Sequence, residues 1–340
     1  MKFKLLGKSG LRVSEICLGT MTFGTEWGWG ADKHESKKIF DMYANAGGNF
    51  IDTANRYTEG TSEKFLGDFI ASDRDHFVLA TKYTLMDRDG DPNYAGNHRK
   101  NMVRSLNESL KRLNTDYIDL FWVHMWDFTT PVEEVMRGLD DLVRSGKVHY
   151  IGISDTPAWV ISRANMLAEL RGWSQFAALQ IEYSLLQRGA ERDLLPMAKA
   201  LDMAVTPWGV IGGGALTGKY LRGEGGRVPE NSLRRNERSQ DIAQAVVEIA
   251  DELGVTPTQV AINWARQRVS NVMPVIGARR VEQLQDSLKS LDSTIPDEMM
   301  HRLNELSKIE LGFPHDFLSS EGVKQSAFAG MYDQIINHRL

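Results

Sequence analysis

A carboxylate, a phenol, an amine and an imidazole recur at matching places in this chain: Asp52 in NFIDTANRY, Tyr57 five residues later, Lys82 in FVLATK and His124 in IDLFWVH. Each ends or shortly follows a run of apolar and β-branched residues, the pattern of a strand. Their chemistry is complementary for reducing a carbonyl, which takes a hydride at carbon and a proton at oxygen. A phenol, with an unperturbed pKa of about 10, gives up its proton poorly unaided. An ammonium from Lys82 would stabilise the phenolate left behind, and Asp52 would keep that lysine charged and oriented. His124 could donate a hydrogen bond to the oxygen as it gains charge. Taken singly, each has a plainer reading: the Asp a helix cap, the Lys a solvated charge, the His a satisfied core group, the Tyr turn packing. Placed together at successive strand ends, they converge in space, which scattered surface charges would not do.

The elements that must hold them are legible as eight short strand-like runs separated by helical patterns. The runs are Glu15 to Gly19, Asn49 to Thr53, Phe77 to Lys82, Tyr117 to Val123, Val148 to Ile153, Ala177 to Glu182, Met203 to Pro207 and Val272 to Ile276. Several are apolar on both alternating sets, as strands buried on both faces are. Met102, Val103, Leu106, Leu110 and Leu113 form one helical stripe, and Val135, Leu139, Leu142 and Val143 another. Thr130-Pro131-Val132-Glu133 and Thr256-Pro257-Thr258-Gln259 read as capping boxes, and Gly146 as a left-handed helix stop. The pattern predicts an α/β chain folded as a single (β/α)8 TIM barrel over residues 1–340, with reactive groups at the C-terminal ends of its strands. An open doubly wound sheet is the rival, but no GxGxxG follows an early strand. Residues 2–14 predict a hairpin around Gly10 that plugs the barrel bottom. Arg222 to Gln240 is an excursion after the seventh strand, and residues 310–340 a tail.

Composition narrows the function. Of the 340 residues, 42% are hydrophobic and 25% charged, the balance of an ordinary globular protein. Forty basic against forty-five acidic residues leave a net charge of −5, which gives nucleic acid no general attraction. No apolar stretch suits a signal peptide or a membrane span, so a cytoplasmic location is the expectation. The one cysteine, Cys17, lies among apolar neighbours and reads as buried and inert. His124 lacks companions at metal-ligand spacing, so no metal is expected. Gly213 to Tyr220 nearly matches a phosphate loop, but Tyr220 stands where a hydroxyl residue should bind magnesium.

After the eighth run, Gly277-Ala278-Arg279-Arg280 is a glycine turn with two guanidinium groups opening a helix, which suits a phosphate monoester. With GNFIDTANRY, LATKY, LFWVH, GKVHYIGIS, LQIEYS and PVIGARRVEQL in order, the chain from about Gly7 to Ser307 resembles the aldo-keto reductase superfamily. That resemblance implies a catalytic tetrad of Asp52, Tyr57, Lys82 and His124, with NADPH or NADP+ as cofactor. It implies nicotinamide contacts from Ser154, Asp155, Gln180 and Trp208, with Asp52 also among the cofactor-binding residues. Ribose and pyrophosphate contacts would come from Thr20, Met21, Gly212 to Leu216 and Lys219. Gly277, Arg279 and Gln283 would meet the 2′-phosphate, and Asp286 and Ser287 the adenine. The chain departs from the usual family pattern at Asp155, Gly209-Val210 and Ser287. ISDTPAW, Met125-Trp126 and VTPW are similar to the aryl-alcohol dehydrogenase branch, which implies an aromatic or other hydrophobic carbonyl substrate. Trp27, Trp29, Met125, Trp126 and Phe128 could line its pocket. A likeness to potassium-channel β subunits leaves a second reading open, an NADPH-binding sensor with little turnover. Nothing in the sequence fixes an oligomeric state.

Overall fold

The computed structural model describes residues 1–226 and 228–337. Two strands, β1 (Phe3–Leu5) and β2 (Arg12–Ser14), form an antiparallel hairpin in which Phe3 faces Ser14. Eight more follow: β3 (Cys17–Gly19), β4 (Phe50–Asp52), β5 (Val78–Tyr83), β6 (Ile118–Val123), β7 (Val148–Ser154), β8 (Phe176–Glu182), β9 (Ala204–Trp208) and β10 (Val275–Gly277). Every one of these pairs in parallel with its neighbours in the order β10-β3-β4-β5-β6-β7-β8-β9. The ends meet where Met273 N–H donates to Val205 O (2.9 Å) and Val205 N–H to Asn271 O (2.8 Å), so the sheet is a closed barrel. All eight expected runs are strands. The last is shorter than its apolar run because Pro274 has no N–H to continue the ladder.

Alternation along these strands explains where polar groups sit. A compact apolar cluster of Cys17, Phe50, Val78, Ala80, Leu120, Trp122, Ala178, Ala204 and Met273 fills the barrel interior, and Leu6 and Val13 of the hairpin join it from below. Side chains two residues apart share a strand face. Asp52 therefore follows Phe50, Lys82 follows Ala80, His124 follows Trp122 and Gln180 follows Ala178 on the inner side, now at the C-terminal rim. Trp122 fits because its neighbour in register is Gly152; a Cβ there would enter the indole ring. The hairpin is where expected, but its critical glycine is not Gly10. Gly7 holds φ +57, where a Cβ would lie 2.6 Å from Asp202 O, and Lys8 N–H donates to that same oxygen (2.8 Å). Close approach to the barrel bottom, rather than the turn tip, demands the glycine.

Helices α1 (Lys33–Asn45), α2 (Thr61–Ile70), α3 (Arg99–Leu113), α4 (Val132–Arg144), α5 (Ala158–Arg171) and α6 (Leu194–Ala200) alternate with the strands. The stripes Met102, Leu106, Leu113 and Val135, Leu139, Leu142 join the larger apolar cluster between barrel and helices. Gly146 is left-handed as expected, and Thr256 caps its helix by accepting Gln259 N–H (3.3 Å). The cap expected from Thr130 is absent: Pro131 precedes α4 without a side-chain cap, and Thr130 Oγ1 donates to Asp127 Oδ2 (2.8 Å) instead. Asp127, three residues upstream, draws the Thr130 hydroxyl because an ionised carboxylate is a strong acceptor. Then come α7 (Glu237–Leu253), α8 (Pro257–Arg268), α9 (Val281–Leu288) and α10 (Asp297–Leu306). The excursion ends at Asn236, four residues before the expected Gln240, because Asn236 caps α7 by accepting Ser239 N–H (2.8 Å). In the tail, α11 (His315–Ser319) and α12 (Glu321–Ala327) have no buried residue; residues 338–340 of the expected tail lie outside the described residues. Among the described residues no helix is long and apolar enough to cross a membrane.

Candidate active site

The rim groups meet. Lys82 is fully buried and Asp52 nearly so, and their charges are in direct contact. Lys82 Nζ also donates to Thr53 O (2.9 Å) and to Tyr57 OH (3.1 Å). An ammonium has three hydrogens and no acceptor. All three are therefore spent, and the Tyr57 oxygen must be the acceptor in its bond with Lys82. The phenolic hydrogen is left to point elsewhere, and the open side is a cavity of about 600 Å³ that Tyr57, Asp52 and His124 all line. The His124 ring stands edge-on to Tyr57, centroids 6.0 Å apart at 82°.

Charge at this rim is set by burial and by Lys82. Burial pushes the Tyr57 phenol above its usual pKa, and the Lys82 charge pulls it back only in part. The sequence predicted the lysine's assistance but not that desolvation outweighs it. Burial also opposes the Lys82 charge, yet Asp52 and Tyr57 together hold the ammonium above the ordinary lysine range. Burial, then the Lys82 charge, keep His124 well below the ordinary imidazole value. Near neutral pH the trio is thus a protonated phenol, a charged amine and a neutral imidazole. Among the described residues, none gives the buried His124 Nδ1 a hydrogen bond.

The cavity runs from this rim across the strand ends to the start of α9. Of the residues expected along it, Thr20, Met21, Ser154, Asp155, Gln180 and Trp208 are in its wall, as are Lys219, Gly277, Arg279, Gln283, Asp286 and Ser287. Of the stretch Gly212 to Leu216, Gly213 and Gly214 are in the wall together with the adjoining Thr217, while Gly212 and Leu216 are buried behind it. Gln180 Nε2 donates to Asp52 Oδ1 (3.1 Å), which leaves its carbonyl oxygen as the free end. Asp155 is left-handed (φ +40) and accepts from Trp208 Nε1 (3.3 Å). Burial raises the Asp155 carboxyl above its usual pKa, with the Trp208 N–H opposing.

At the far end the chemistry is cationic. Gly214 is left-handed (φ +95), a conformation that favours glycine, and Lys219 Nζ lies 2.7 Å from where its Cβ would be. The Arg279 guanidinium makes no ion pair among the described residues, and Arg279 N–H donates to Gln283 Oε1 (2.9 Å). Val281 N–H at the start of α9 is already taken by Glu35 Oε1 (2.9 Å), so the free positive charge there is the guanidinium rather than this helix amide. Asp286 accepts from Thr256 Oγ1 (2.9 Å) and Gln259 Nε2 (2.7 Å), which fixes it to the start of α8. An elongated cavity with a flat indole and amide oxygen near the phenol, and with ammonium and guanidinium beyond a glycine turn, fits a nicotinamide dinucleotide bearing an extra phosphate.

The expected substrate aromatics divide. Trp27 lines the cavity and packs against Trp29 at 5.8 Å. Trp29, Met125, Trp126 and Phe128 are not in its wall; Trp126 packs on the core, and Phe128 is 70% exposed. Sequence reasoning missed Arg56, Leu85, Thr258 and Arg234, all of which line the cavity. Arg56 adjoins Tyr57, and its pairing with Glu59, which also accepts from Trp27 Nε1 (3.0 Å), ties the tryptophan loop to the phenol's turn. Arg234 reaches the cavity from the excursion and pairs with Glu182 at the end of β8. Only proximity to Tyr57, and the basic character of the excursion, could have pointed to them.

Comparison with known proteins agrees with this geometry. The model of the Aldo/keto reductase family matches residues 15–308. An aryl-alcohol dehydrogenase [NADP(+)] of Phanerodontia chrysosporium is 40% identical, over 96% of this chain and 91% of that one. A norsolorinic acid reductase of Aspergillus flavus is 38% identical, over 92% and 83%. A putative aryl-alcohol dehydrogenase of Saccharomyces cerevisiae is 36% identical, over 94% and 90%.

Proposed function

The chain belongs to the aldo/keto reductase family, and from that premise we propose that it is an NADPH-dependent oxidoreductase that reduces aromatic or other hydrophobic aldehydes and ketones to alcohols. Tyr57, Asp52, His124 and the residues along the long cavity would hold NADPH, which when bound would supply the hydride to the carbonyl carbon and be left as NADP+. Tyr57 gives its proton to the carbonyl oxygen, and the bond formed is the alcohol O–H. Lys82, already donating to the Tyr57 oxygen, stabilises the phenolate that results, and Asp52 holds the ammonium in place. His124, neutral, offers an N–H to the oxygen while negative charge grows there. Ser154, Asp155 and the Gln180 carbonyl orient the carboxamide, and Trp208 supplies a flat wall. Lys219 would hold the pyrophosphate and Arg279 the 2′-phosphate, which favours NADPH over NADH. The names of the relatives support an aryl substrate, and the Trp27 wall supports it independently. The single buried cysteine is in keeping with action in the cytoplasm.

The observation that carries this reading is the commitment of all three Lys82 hydrogens, which leaves the Tyr57 proton free to face the cavity. It is tested by assaying the wild-type protein on a panel of carbonyls, including 4-nitrobenzaldehyde, with NADPH and with NADH. The expected result is oxidation of NADPH by aryl aldehydes, with a much lower KM than for NADH. Tight NADPH binding without turnover of any carbonyl would overturn it in favour of a sensor.

A further inference from the structure

The loop that carries His124 is held by an amide the chemistry does not use. Asn97 is fully buried and lies between β5 and α3. Its Nδ2 donates to Thr84 Oγ1 (2.9 Å), just past the strand of Lys82, and to Met125 O (2.9 Å), just past His124. Asn97 N–H donates to Asp127 Oδ2 (2.7 Å), and Asp127 N–H returns a bond to Asn97 Oδ1 (2.7 Å). Asp127 also accepts Thr129 N–H (2.8 Å) and Thr130 N–H (2.9 Å) through Oδ1. The result is a reciprocal clasp joining the ends of β5 and β6. A second buried amide extends it: Asn55 Nδ2 donates to Leu85 O (3.1 Å) from two residues before Tyr57.

Two features tie this clasp to the site rather than to the fold in general. The backbone it holds is strained, with Thr84 at φ +104 and Phe128 at φ +57. A β-branched residue adopts such a φ only where its surroundings over-determine it, and strain of this kind gathers at functional sites. Moreover, His124 Nδ1 has no hydrogen-bond partner among the described residues, so no such bond through that nitrogen orients the ring. Its direction depends on its backbone. That backbone is fixed on one side by His124 N–H donating to Tyr83 O (3.1 Å) and on the other by Asn97 at the Met125 carbonyl.

We propose that Asn97, clasped to Asp127, is the positioning residue that aims the His124 imidazole at the carbonyl oxygen. This rests on the role given to His124 above. The test is a double-mutant cycle of Asn97→Ala and His124→Ala, read as kcat with 4-nitrobenzaldehyde and as NADPH affinity by fluorescence titration. In the His124 background, Asn97→Ala should lower kcat by about tenfold or more, the scale of a displaced catalytic group. NADPH affinity should stay within about twofold. In the His124→Ala background the same change should cost little, because interacting positions are not additive. Asp127→Asn, isosteric but placing a donor opposite the Asn97 N–H, should repeat the pattern, and it carries the cycle if Asn97→Ala does not fold. Equal losses in both backgrounds, or parallel loss of NADPH binding and kcat, would overturn the proposal. Wild-type protein without carbonyl reduction would instead sink the reductase reading itself.

Discussion

At the scale of single residues, the account turns on protonation states that burial and one lysine impose. Tyr57, above its usual pKa, keeps its phenolic proton near neutrality, and His124, well below its own, stays neutral there. Neither changes charge across ordinary assay conditions. We therefore expect kcat for reduction to be flat from about pH 6 to about pH 8; a one-proton step near pH 6.5 would show that His124 titrates there. Stability has the opposite sensitivity. Between the folded pKa of His124 and its ordinary value of 6.5, the unfolded chain binds a proton that the folded chain refuses. The stability gained from keeping His124 neutral is complete above that ordinary value and is lost as pH falls below it. A shallower acid-side slope in thermal melts of His124→Gln is the expected signature.

At the scale of elements, the two-residue period of the strands sorts apolar filling below from reactive groups above. Gly152 is the point where that packing has least slack, because the Trp122 ring occupies the place of its side chain. Gly152→Ala should destabilise the protein by about 1–3 kcal/mol, the usual cost of overpacking. The midpoint of urea unfolding should fall at unchanged slope, and an unchanged midpoint would refute the packing argument. This is also the scale at which sequence was most readable. All eight strand runs and the four rim residues were legible because hydrophobic alternation is local and repeats. The absence of the Thr130 cap was not, because the capping-box pattern of Thr130 to Glu133 carries no sign that the hydroxyl turns to Asp127 instead. Nor was the Gly7 requirement, which depends on Asp202 across the barrel bottom. Asn97 gave no signal at all: it stands in a loop without period, and its partners are set by where two other loops land.

At the scale of the whole molecule, the closed barrel makes one end a mouth and the other a plugged base. The long cavity crosses the strand ends from Tyr57 to Arg279, with the excursion contributing Arg234 at its edge. Of the two segments outside the repeat, the excursion places Arg234 in the cavity wall, and among the described residues the tail places none there. Such segments obey no repeat, so only their existence could be read in advance. What the architecture must accomplish is to bind cofactor through groups distinct from the one that moves the proton. The most direct measurement is therefore single-turnover reduction of 4-nitrobenzaldehyde by preformed NADPH complexes of wild type and Tyr57→Phe. With NADPH affinity unchanged, the variant should lose about 10²- to 10⁴-fold in rate, the range for a general acid. A variant that binds NADPH and turns over at the wild-type rate would contradict the account.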